Sequence, residues 1–115
     1  MARPSDIEES RIKAVAAARA LLDGSMYFVE GCRLIWRHLS VMGLDHDTDF
    51  MILVGIDSEM DLFAVGSERQ HWNPEALEAQ DIEMERAIAH YRPMAEVACR
   101  KIIERLDNRI ATKPD

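Results

Sequence analysis

Two cysteines, five glycines and four prolines in 115 residues rule out several kinds of protein at the start. Cys32 and Cys99 stand 67 residues apart, which makes neither a disulfide framework nor a zinc-ligand pattern. Each lies among apolar neighbours, so buried free thiols are the expectation. Five glycines scattered singly cannot build a phosphate-binding loop, and nine Gly and Pro together leave no flexible linker. No uninterrupted apolar run exceeds the five residues of 50–54, whereas a membrane helix needs roughly 20. The first nine residues have no apolar signal-peptide core. A cytoplasmic, non-membrane protein of one domain over 1–115 is expected, with 1–4 and 112–115 frayed.

Basic residues are missing from one part of the chain in particular. Residues 44–85 hold twelve carboxylates and only one base, Arg69, for a net of −11. The flanks sum to +4, which gives the overall −7. Charge is therefore sorted along the sequence, and its middle third is a concentrated acidic surface. Such a surface can hold a metal, dock on a basic partner or be merely well solvated. The net charge disfavours nucleic acid as a partner. Arg33 and Arg37, and the cluster of bases at 100–109, read as solvated helix faces.

The 48% hydrophobic content supports a packed core, and its spacing is mostly helical. Ser5 and Glu8 form a capping-box pattern. Ile7, Ile12, Val15, Ala18 and Leu22 then recur at helical intervals until Asp23-Gly24-Ser25, with Gly24 as the left-handed terminator and Ser25 as a candidate new cap. Val29, Cys32, Ile35, Trp36, Leu39 and Met42 form the stripe of a second helix ending at Gly43. So short a turn predicts an antiparallel pair. Asn73-Pro74 opens a third helix, and Trp72 is placed to staple its start. Pro93 is expected to kink or break that helix, leaving a fourth from Met94 to about residue 108. The run 50–56 suits a buried strand or a buried helical turn, because periodicity cannot separate them. A strand pairing with 62–65 is preferred. The expected fold is mainly α: about four helices in two antiparallel pairs, with a short β-hairpin or irregular insert at about 50–66.

Three short patterns bear on chemistry. Asp45-His46-Asp47-Thr48-Asp49 resembles the opening of an EF-hand loop by its D-x-D-x-D spacing. Phe50 then stands where that loop has its glycine, and Ile56 where it has its bidentate glutamate. Glu68-x-x-His71 has the spacing of a di-iron carboxylate ligand pair, but such a site needs two of these pairs and only one exists. Glu78-x-x-Asp81 resembles, by spacing, the second carboxylate pair of all-helical nucleotide pyrophosphatases of the MazG type. In the pattern of the first pair, Glu8-Glu9 is followed by Ile12 instead of a third glutamate. No G-x-S-x-G, C-x-x-C or H-E-x-x-H is present. No catalytic residue, metal ligand or cofactor is assigned.

A binding protein is thus favoured over an enzyme. The most concrete version is a small acidic bacterial inhibitor, an immunity protein or antitoxin, docking on a basic partner such as a toxin. The expected contact residues are Asp45, Asp47, Asp49, Asp57, Glu59, Met60, Asp61, Phe63, Glu75 and Glu78. Met60 and Phe63 enter as apolar anchors among the acids. The alternatives are a Mg²⁺- or Mn²⁺-dependent nucleotide hydrolase using the same carboxylates, and a helical homodimer without ligand.

Overall fold

A computed structural model describes residues 3–60 and 73–107, and all that follows concerns these. They form four helices: α1 (Pro4–Asp23), α2 (Phe28–Val41), α3 (Met51–Met60) and α4 (Pro74–Leu106). The mainly helical class agrees with the sequence reading. Its hairpin does not, because 51–60 is helix and the described residues contain no strand. The proposed partner strand at 62–65 lies outside them.

The first helix begins at Pro4, two positions before the one the S-x-x-E pattern implied. Proline costs nothing there, since the first amides of a helix have no intrahelical acceptor. The Asp6 carboxylate accepts the Arg3 amide at 3.3 Å. Glu8 instead pairs with Arg11. Gly24, at φ +81°, ends the helix as expected, and the amides of Gly24 and Ser25 both reach the Ala20 carbonyl. Ser25 does not cap α2, which starts after Tyr27 with no side-chain cap. Gly43, at φ +74°, ends α2, and the Leu44 amide closes back on the Leu39 carbonyl at 2.8 Å.

Antiparallel packing of α1 and α2 follows from two contacts at opposite ends. Leu21 meets Gly31 near the turn, and Ser10 meets His38 far from it. Gly31 has no side chain for a physical reason. A Cβ there would sit 2.6 Å from Cδ2 and 2.7 Å from Cγ of Leu21, which is itself buried.

The third helix is explained by spacing within its apolar run. Phe50, Leu53, Ile56 and Met60 recur every three or four residues, and all are buried, while Met51, Gly55, Ser58 and Glu59 face outward. A strand would have put alternate residues inside. Asp57, Ser58 and Glu59, which a hairpin of 50–56 with 62–65 would place in its loop, are therefore helical.

Asn73 caps α4 as expected, accepting the Ala76 amide at 2.7 Å, with Pro74 in the first turn. Pro93 does not break the helix, so the second antiparallel pair expected at 74–108 is a single element of 33 residues. Proline removes the bond from its own position to the carbonyl four residues earlier. Pro93 and Ala89 both face outward, so water can satisfy the Ala89 carbonyl. The C-terminal end of α4 meets Arg11 and Arg19, and Met84 meets Tyr27 beyond the end of α1. Thus α4 runs antiparallel to α1. Ala14, Ala17 and Ala18 of α1 and Ala95 and Ala98 of α4 are buried small residues, which allow the helices a close approach. Ile35, Leu39, Phe50, Leu53, Ile56, Met60 and Ile102 fill the centre.

Candidate functional site

The acidic middle third divides into two groups that behave differently. The first group is consumed by the fold. After α2, the Asp47 carboxylate accepts the Asp49 amide at 3.0 Å and shapes the turn into α3. Arg105 of α4 then donates to both oxygens of Asp47, at 2.9 Å each, and to Asp49 at 2.9 Å. Lys101, one turn earlier, donates to Asp49 at 3.1 Å. Bidentate geometry of this kind fixes orientation as well as charge. Hydrogen bonding from Arg105, then from the Asp49 amide, holds the Asp47 carboxyl below the usual range. Asp47 in turn raises the Arg105 guanidinium. The Arg105 guanidinium also lies 4.8 Å from the centre of the Phe50 ring.

Asp57 belongs to the same group. Its carboxylate accepts from Arg33 Nε at 2.9 Å, which ties α3 to α2. Asp45 is half-buried and 3.5 Å from His46. Met60 is 1% exposed and part of the core, so it cannot serve as the exposed anchor expected of it. Asp61 and Phe63 lie outside the described residues, as do Glu68, His71 and Trp72. The bases of α4 expected to be a solvated face are the other half of this network, at Lys101 and Arg105. Arg109 lies outside the described residues.

The second group is left open. Glu75, Glu78, Glu83 and Glu85 all lie exposed on the first turns of α4. None of them has an ion pair among the described residues. Glu75, Glu78, Ile82 and Glu85 fall at intervals of three, four and three, so they form one stripe along the helix. Ile82 is 46% exposed in the middle of that stripe. Glu59, at the end of α3, is exposed as well. Of the ten expected contact residues, Glu59, Glu75 and Glu78 are thus free to meet a partner, while Asp47, Asp49 and Asp57 are engaged internally. Glu83 and Glu85 belong to the acidic segment 44–85 singled out in the sequence, whereas Ile82 was missed, although its helical register with Glu78 was readable.

A third polar feature went unnoticed in the sequence. Ser10 Oγ and His38 Nδ1 are 3.0 Å apart between α1 and α2. Ser10 is buried. Partial burial, then the nearby Lys13 charge, lowers the His38 pKa against a smaller opposing effect of Glu9. His38 has no carboxylate hydrogen-bond partner among the described residues, so the pair lacks the third group of a nucleophilic triad. The antiparallel register about the turn at 24–27 would have brought the two positions together on paper.

Both cysteines are buried and unpaired, as expected. Burial is the main reason that each thiol is pushed up to about 12, which leaves it protonated and unreactive. Among the described residues no three of His, Cys, Asp and Glu come together in a way that could hold a metal ion. No described helix is long and apolar enough to cross a membrane. No protein-family model matches the chain, and neither does any curated protein or solved structure.

Proposed function

We propose that this protein is a small acidic binding module, most concretely an immunity protein or antitoxin-like inhibitor. Its docking surface is the first half of α4, where Glu75, Glu78 and Glu85 flank Ile82. The observation that carries this reading is the division of the carboxylates. Those at 47–57 are matched by Arg33, Lys101 and Arg105, while Glu75, Glu78, Glu83 and Glu85 of α4 are exposed with no ion pair among the described residues. Such charges accelerate and orient the approach of a basic surface, and a central apolar residue adds contact once water is expelled. The partner is accordingly a protein with a basic cleft, such as a toxin.

The test is capture from source-cell lysate on immobilised protein at low salt, with elution by raised salt. A triple variant carrying Glu75→Lys, Glu78→Lys and Glu85→Lys is the control. A basic protein held by the wild type and lost by the variant supports the proposal. Identical capture by both proteins would remove it.

A further inference from the structure

A groove runs along the α1/α2 pair and is lined by no residue of α4. Its wider part, about 540 Å³, has a floor of Ala16, Ala17, Met26 and Leu34. Three nitrogen-bearing side chains, Lys13, Arg37 and His38, close one end of it. A polar extension of about 360 Å³ shares Lys13 and His38 and is also lined by Asp6, Glu9, Ser10 and Val41. The antiparallel register sets the order along the groove: Met26 at the turn, then the alanines and Leu34, then the cations.

The wider part is lined by Lys13 and Arg37 and by no carboxylate, whereas Asp6 and Glu9 line the extension. Arg37 is exposed and makes no ion pair among the described residues. Lys13 pairs with Glu9 at 2.6 Å, but the two side chains are 55% and 61% exposed. An exposed pair of that kind is worth little and exchanges readily for another anion. His38 is held in place by Ser10. An apolar trough that ends in cations suits one class of small molecule, with an apolar body and an anionic head.

We propose that the α1/α2 groove binds an amphiphilic carboxylate, with its apolar chain along Ala16, Ala17, Leu34 and Met26 and its carboxylate between Lys13 and Arg37. No residue of the α4 surface lines this site, so its failure would leave the protein-docking reading untouched. A pure anion site would need no apolar floor, and a pure apolar site would not place Arg37 at its end.

The probe is sodium decanoate, titrated calorimetrically into the intact chain below its micellar concentration. Acetate supplies the head alone and 1-decanol the chain alone. Decanoate is expected to saturate at one per chain and to shift the His38 imidazole resonances. Acetate and 1-decanol should each bind at least about tenfold more weakly, a difference of about 1.4 kcal/mol. Arg37→Gln should weaken decanoate by about tenfold, and Ala16→Trp should abolish binding by filling the trough. Both positions are exposed on helices, and unchanged melting curves would show that the variants fold. Absence of saturable binding would overturn the proposal. So would wild-type affinity in Ala16→Trp or Arg37→Gln, or acetate binding as tightly as decanoate.

Discussion

Arg105 grips both carboxylate oxygens of Asp47, across 58 positions of sequence, at 2.9 Å each. This contact fastens the turn before α3 to the last turns of α4, and the guanidinium covers Phe50 at the same time. Arg105→Leu should therefore lower the melting temperature more than Arg100→Leu, whose partner Glu96 lies on the same helix at 3.9 Å. Acid should act in the same place. Because its folded pKa is lowered from 3.8, Asp47 contributes stability above that value, and the contribution is lost as pH falls through the lower, folded pKa. Asp47→Asn should flatten that part of the acid-unfolding curve, measured by circular dichroism.

Gly31→Ala tests the closest approach of α1 and α2. Alanine favours a helix by up to about 1 kcal/mol over glycine, but the new methyl would overlap Leu21. Overpacking of this kind costs about 1–3 kcal/mol, so urea melts should show net destabilisation. Leu21→Ala combined with Gly31→Ala should cost less than the two single changes added together. Simple additivity would mean that the contact does not set the helix spacing.

His38 gives the protein a pH dependence near neutrality. Its pKa is lowered from 6.5 in the fold, so the unfolded chain takes up the proton first as pH falls. Its contribution to stability is full above about 6.5, declines below that value, and levels off beneath the folded pKa. Urea melts between pH 7.5 and 5 should show the decline, and His38→Gln should reduce it.

Pro93→Ala should stabilise the protein by about 1–3 kcal/mol, because it restores an intrahelical hydrogen bond and a strong helix former at an exposed position. Thermal melts measure this. A loss of stability would show that the proline ring itself is needed for packing.

The elements legible in the sequence were those marked by local chemistry. Gly24 and Gly43 end helices where expected, and Asn73-Pro74 starts one. Pro93 misled because breaking depends on which side of the helix the lost bond faces, and that is settled only by packing. The 50–60 segment misled for a different reason. Five consecutive apolar residues hide their own period, and the helical spacing emerges only when Ile56 and Met60 are counted with Phe50 and Leu53. The acidic loop and the basic strip of α4 were both visible separately. Their pairing was not, since Lys101 and Asp49 are 52 positions apart and meet only through tertiary packing. Asp57 is likewise engaged, by Arg33 of α2. Lysine there would confront Arg33, and so would harm folding.

The central claim is that the α4 carboxylates steer a basic partner while those at 47–57 hold the fold. The most direct measurement is the association rate of the captured partner as a function of salt, for three proteins matched for folded fraction. These are the wild type, the Glu75→Lys/Glu78→Lys/Glu85→Lys variant, and the Asp47→Asn/Asp49→Asn variant. The α4 variant should associate more slowly, with a much flatter salt dependence. The asparagine variant should associate at the wild-type rate while melting at a lower temperature. Wild-type rate and salt slope in the α4 variant would contradict the account and leave that half of the helix as a solvated face.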